Sequence, residues 1–173
     1  AKDIWTSPDW ELREKLGDVD WLVTCTAQGA NHLRSLMADP EKVGLVYHGL
    51  DLARFPEPTT GPERRRGRDD PVLILSIGRA VAKKGFDDLL QALAALPEDC
   101  RWRFEHIGDG ECLEGLKKHA QELGLGDRVH WLGAQAQGKV LEHLRSADLF
   151  VLASKIAPDG DRDGLPNVLM EAQ

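Results

Sequence analysis

Four short strand-like runs, the first of them apolar, alternate with amphipathic stretches between residues 72 and 153, and a glycine closes each of the first three runs. The runs are Val72–Ile77, Trp102–Ile107, 128–132 and 149–153. Their length and the glycines after them suit buried strands. Between them, Phe86, Leu89, Leu90 and Leu93 fall at the spacing of one helix face over 86–96. The stretch 113–123, stopped by Gly124, and the stretch 140–147 read the same way. A last helix is expected over 167–172, with Pro166 at its start. Strand–helix alternation of this kind predicts an α/β fold, a Rossmann-like parallel sheet with helices on both faces.

The segment before residue 55 has the same style in less complete form. Helices are expected over 10–16 and 27–37, and strands over 21–25 and 43–47. Two strands and two helices are too little to close a domain of their own. Residues 55–70 then carry three prolines, two glycines and no aliphatic side chain after Phe55, which marks a linker. Its Arg64-Arg65-Arg66 run is an anion or membrane patch, or a solvated linker face beside Glu63, Asp69 and Asp70. The expected partition is 1–57, a linker at 58–70, and 71–173.

The chain has 173 residues, the size of one domain, and a net charge of −7. That acidic balance argues against a general nucleic-acid binder. Cys25, Cys100 and Cys112 are odd in number and widely spaced, with no Cys-x-x-Cys or Cys/His cluster, so neither a zinc site nor a disulfide framework is expected. No apolar run is long enough to cross a membrane. The first residue is not Met, and the expectation is a fragment.

In open parallel sheets, ligands lie outside the carboxyl ends of the strands. After the first run stands Gly78-Arg79-Ala80-Val81-Ala82-Lys83-Lys84-Gly85. It lacks the second glycine and the Ser/Thr of a P-loop. Arg79 and Lys84 suit a diphosphate, one as a planar fork and one as a point charge, or else are surface cations closing a loop. After the second run, Gly108-Asp109-Gly110 is a ligand-approach turn or a plain strand-to-helix turn. Gly115 comes one residue too late for the dinucleotide spacing. After the fourth run, Asp159, Asp161 and Asp163 alternate, but Met170 stands where a calcium loop needs its Glu. Gly164 and the helix start near Pro166 offer backbone N–H groups to an anion. Glu171 suits a vicinal diol, whose two hydroxyls one carboxylate accepts.

Together these motifs resemble the C-terminal half of a GT-B glycosyltransferase of family 4, a group with retaining chemistry. Val46-Tyr47-His48-Gly49-Leu50-Asp51-Leu52-Ala53-Arg54-Phe55 resembles the hinge motif, with His48 in place of the usual Asn. Gly78-Arg79 through Lys84-Gly85 resembles the phosphate pair. Ile107-Gly108-Asp109-Gly110 and Val129-His130-Trp131-Leu132-Gly133 resemble the next two strand ends. Asp163 to Glu171 occupies the place of the E-x7-E motif, with Asp163 one methylene shorter than the usual Glu. The stretch from Asp159 to Ala172 looks like the form in bacterial exopolysaccharide and colanic-acid-type transferases.

The resemblance implies roles. Arg79 and Lys84 would neutralise the diphosphate leaving group of a nucleotide-diphospho-sugar, and Asp163 would contact the transferred sugar. Glu171 would bind ribose hydroxyls. The backbone of Gly164, Leu165, Pro166 and Asn167 would assist on phosphate and sugar. Gly78 and Gly108 would let the donor approach, and Trp131, Leu132 and Gly133 would line the base pocket. The donor is a substrate, and no metal or other cofactor is implied. The acceptor would be a carbohydrate or lipid-linked sugar, met with a partner N-terminal domain, in the cytoplasm or at the inner membrane face. The Rossmann-like domain is expected to be truncated and the chain alone inactive in transfer. The other readings are a sugar-nucleotide epimerase of GT-B shape and a non-catalytic nucleotide-binding module.

Overall fold

The computed structural model describes residues 2–51, 55 and 70–172. Most of the expected linker at 58–70, with Arg64-Arg65-Arg66, and Leu52, Ala53 and Arg54 of the hinge motif lie outside the described residues. The chain forms two compact units. One comprises Ala1–Leu50 with Lys155–Glu171 and Gln173, and the other Asp51–Ser154 with Ala172.

The second unit holds a four-stranded sheet of β3 (Val72–Ile77), β4 (Trp102–Ile107), β5 (Val129–Trp131) and β6 (Leu149–Phe150). All pairs are parallel, in the order β5-β4-β3-β6. The chain steps outward from β3 through α4 (Phe86–Ala94) to β4, and through α5 (Leu113–Glu122) to β5. It then returns through α6 (Gln137–Ser146) to place β6 on the other side of β3. Right-handed crossovers put helices made in opposite directions on opposite faces. Neighbouring residues of β4 show both faces, since successive strand side chains point opposite ways. His106 meets Phe86 of α4, ring centroids 4.5 Å apart. Glu105 meets His143 of α6 at 3.0 Å and Arg103 at 3.1 Å. The expected doubly covered sheet is therefore present. Leu75 and Phe104 in the sheet, Leu90 of α4 and Leu125 after α5 are each no more than 1% exposed.

Some boundaries differ from expectation. β6 is two residues rather than 149–153, and among the described residues it pairs with β3 alone. Val151 N–H still donates to Leu75 O at 2.9 Å, after which the chain leaves the sheet. α6 begins a turn before Val140, through polar, exposed residues that add nothing to the apolar pattern. A 3-10 turn at Ala82–Lys84 was not legible from periodicity.

In the first unit β1 (Leu22–Thr24) and β2 (Val43–Leu45) pair in parallel, joined through α3 (Ala27–Leu36). Ala30, Leu33 and Val43 form the buried cluster beneath them. Thr26 starts α3 by accepting the Gly29 N–H at 3.1 Å. Thr26→Ala should lower the stability of this unit by about 1 kcal/mol, read by urea unfolding. The unit also holds α1 (Lys2–Thr6), α2 (Asp9–Gly17) and α7 (Asn167–Glu171). Trp5 of α1 stacks on His32 at 4.8 Å, and the Arg162 guanidinium lies 4.5 Å from the Trp5 ring. Among the described residues no helix is long and apolar enough to cross a membrane.

Candidate functional site

The strand order reverses beside β3, where β6 joins after the chain has run outward to β5. In open parallel sheets such a switch point opens a crevice at the carboxyl ends of the strands. Here those ends are laced together by backbone. Gly78 N–H donates to Ile107 O, and Gly108 N–H to Gly133 O, both at 2.9 Å. Ala80 N–H donates to Asp109 O at 2.9 Å, and Cys112 N–H to Ala80 O at 2.9 Å.

Glycines make these close backbone approaches possible, at Gly110 against Ala80 and at Gly108 and Gly85. Gly108 has φ +146°, and a Cβ on it would stand 2.0 Å from the carbonyl oxygen of Gly78. Gly85, with φ +63°, closes the turn after β3, and its Cβ would stand 1.9 Å from Ala153 O. The loop after β3 therefore rests directly on the chain leaving β6. No side chain larger than hydrogen fits either contact.

Arg79 follows Gly78 and is exposed. Lys84, half-buried, runs back along the same turn. Its Cε is 3.5 Å and its Nζ 3.9 Å from the Cβ position of Gly78. The two cations thus leave one turn at the end of β3, beside the switch point. That is where an anionic ligand gains both a guanidinium fork and an ammonium charge.

The adjacent strand end supplies the aromatic part. Trp131 closes β5 half-buried, edge-on to Phe104 at 6.5 Å and to His106 at 5.4 Å. Leu132 N–H donates to His106 O at 2.9 Å, and Gly133 follows. Ser76, His106 and Trp131 stand side by side in the registers of β3, β4 and β5. Ser76 and His106 are both 0% exposed. Burial pushes the His106 imidazole down to a pKa of about 4. Among the described residues neither Ser76 Oγ nor either His106 ring nitrogen has a hydrogen-bond partner. Sequence reasoning passed over this pair. The signal available to it was a serine in the otherwise apolar β3 and a histidine next to Glu105 in β4.

The structure brings Gly78, Arg79, Lys84, Gly108, Trp131, Leu132 and Gly133 to one sheet end of the second unit. Asp163, Gly164, Leu165, Pro166, Asn167 and Glu171 belong to the first unit. There, Ala157 N–H donates to Asp161 O at 2.8 Å and Asp161 N–H to Asp159 Oδ1 at 3.0 Å, which folds the acidic loop on itself. A Cβ on Gly164 would lie 3.0 Å from Thr26 Cγ2. α7 is five residues long, too short for a developed helix dipole. Among the described residues, no group of three or more His, Cys, Asp or Glu is placed to hold a metal ion.

Residues 62–173 match the model of the family described as glycosyl transferases group 1. WcaL of Escherichia coli (strain K12), named as a colanic acid biosynthesis glycosyltransferase, is 29% identical over 168 residues, covering 96% of this chain and 39% of WcaL. The amylovoran biosynthesis glycosyltransferase AmsK of Erwinia amylovora is 31% identical over 134 residues, 76% of this chain and 31% of AmsK. The chain therefore spans well under half the length of these relatives. Among solved structures, Anabaena Alr3699/HepE in complex with UDP and glucose superposes with a TM-score of 0.74 at 20% identity, covering 95% of this chain and 46% of HepE. The likeness to solved structures is one of fold, the α/β arrangement of GT-B glycosyltransferases.

Proposed function

This chain belongs to the glycosyl transferases group 1 family, and on that premise we propose that it supplies the donor side of a retaining sugar transfer. The donor is a nucleotide-diphospho-sugar. The acceptor is a carbohydrate or lipid-linked sugar in bacterial polysaccharide synthesis. The observation that carries the reading is the pairing of Arg79 and Lys84 on the turn after β3, beside the strand-order reversal. When a sugar leaves a nucleoside diphosphate, negative charge grows on the departing phosphate. Fixed cations at that point lower the barrier because they need no reorganisation as the charge develops.

Trp131, Leu132 and Gly133 are assigned to the base, and Gly78 and Gly108 to close backbone approach. The roles of Asp163 toward the transferred sugar, of Gly164 to Asn167 toward phosphate and sugar, and of Glu171 toward the ribose hydroxyls rest on the motif resemblance alone. The proposed reaction uses no metal or other cofactor. The reading keeps 71–173 as the donor-binding part, joined by the linker at 58–70 to 1–57. It places the chain in the cytoplasm, at the inner membrane face where the acceptor is lipid-linked.

The UDP named in the HepE complex makes a uridine nucleotide the first ligand to try. A thermal-shift screen of UDP-, GDP- and ADP-sugars tests the donor class. Arg79→Ala or Lys84→Ala should weaken nucleoside-diphosphate binding by roughly 1.5–3 kcal/mol, the size of a charge-assisted hydrogen bond. Calorimetry decides the point, and unchanged affinity in both variants removes the phosphate assignment.

A further inference from the structure

Two polar side chains stand inside the sheet of the second unit with no hydrogen-bonding partner among the described residues. Ser76 and His106 are 0% exposed, and they face one another in the register of β3 and β4. Burying polar groups without partners lowers stability, and folds carry few of them. An alanine at 76 and a leucine at 106 would fill the same space without that loss. Conflicts of this kind collect where a site needs the residue rather than where the core does.

The surroundings of the imidazole say which site. Phe86 of α4 meets it edge-on at 4.5 Å, and Trp131 of β5 at 5.4 Å. Its Nε2 lies 3.3 Å from the Cβ position of Gly108, so this nitrogen faces the turn that closes β4. Glu105, the neighbouring side chain, serves the other face, pairing with His143 and Arg103. His106 therefore touches two residues assigned above to the donor, the Trp131 ring and the Gly108 turn.

We propose that His106, with Ser76 beside it, is a positioning residue for the nucleoside half of the donor site. The imidazole braces Trp131 from the side and the Gly108 turn from beneath. Its ring nitrogens and the Ser76 hydroxyl are held in reserve for the hydrogen bonds that fix both when a nucleoside diphosphate fills the crevice. The inference rests on the function proposed above.

The test compares the wild-type chain with His106→Leu, which removes both nitrogens at similar volume, and with His106→Gln, which keeps a donor and an acceptor. Calorimetry with UDP and with inorganic pyrophosphate is run beside thermal unfolding. His106→Leu should hold or raise Tm yet lose roughly tenfold in UDP affinity, about 1.4 kcal/mol, with pyrophosphate affinity unchanged. His106→Gln should recover most of the UDP affinity. A residue that merely fills the core would lose stability and binding together, or neither. Wild-type UDP affinity in His106→Leu overturns the inference, and so does an equal loss for both ligands. If His106→Leu does not fold, Ser76→Ala takes its place under the same two criteria. A wild-type chain that binds neither UDP, GDP nor ADP overturns the proposed function itself, and this inference with it.

Discussion

Gly108→Ala is expected to destabilise the second unit by about 3–5 kcal/mol, among the larger effects a single methyl can have. Two costs add. Gly108 has φ +146°, a region where an L side chain stores roughly 1–3 kcal/mol of strain. The new Cβ would also stand 2.0 Å from Gly78 O, with Gly78 C at 2.8 Å, so backbone rather than a flexible side chain must yield. Yielding there pulls on the bonds from Gly78 N–H to Ile107 O and from Gly108 N–H to Gly133 O. Urea unfolding reads the loss, and a variant within about 1 kcal/mol of wild type would show that the strand ends are not packed this way. Because the same turn is assigned to donor approach, a variant stabilised by osmolyte should still bind nucleotide more weakly than wild type.

Acid is expected to cost the chain about 3 kcal/mol between pH 7 and pH 4 through His106 alone. An unfolded histidine titrates near 6.5, whereas the folded imidazole titrates at about 4 because burial disfavours its charged form. Between those values the unfolded chain binds a proton that the native chain does not. Stability is therefore complete above about pH 6.5 and falls as pH drops toward 4. Phe86, Trp131, Ser76 and Gly108 face the ring and carry no charge, and the Asp109 carboxylate of the same turn is exposed and accepts the Gly110 N–H at 2.8 Å. Lys84 approaches Gly78, across the Gly78–Gly108 contact, and Glu105 serves the opposite face. Denaturation at a series of pH values in wild type and in His106→Leu isolates this contribution. The slope over that window should flatten in the variant, and an unchanged slope would contradict the assignment.

The strands β3 and β4 were legible in the sequence to the residue, β3 because it is apolar except at Ser76 and both because a glycine follows each directly. The placement of the glycines, Arg79 and Lys84 at the strand ends was legible because the loop carrying each directly follows a strand-like run. β6 was over-read because the run 149–153 stays apolar after its ladder has ended. Ser76 and His106 were hidden, since periodicity reports which face a residue occupies and not whether its polar atoms find partners. The stack of Arg162 on Trp5 joins opposite ends of the chain, and no local pattern announces it. The grouping of Lys155–Glu171 with Ala1–Leu50 likewise has no local signature.

Residue 148 has a bearing on how the second unit assembles. Asp148 clasps Leu73 twice: its Oδ2 accepts the Leu73 N–H at 2.7 Å, and its own N–H donates to Leu73 O at 2.9 Å. These partners are 75 residues apart, whereas Leu73 meets its β4 partner Arg103 after thirty. Closing the longer loop costs about 0.8 kcal/mol more chain entropy, and it returns only two ladder pairs, Ile74 with Leu149 and Leu75 with Phe150. The β3–β4–β5 hairpinless core can therefore form from near contacts first, with β6 the last strand to be captured. The crevice beside the cation pair then depends on the longest closure in the sheet, and hydrogen exchange at Leu73 and Val151 reads how that closure compares with the β3–β4 ladder.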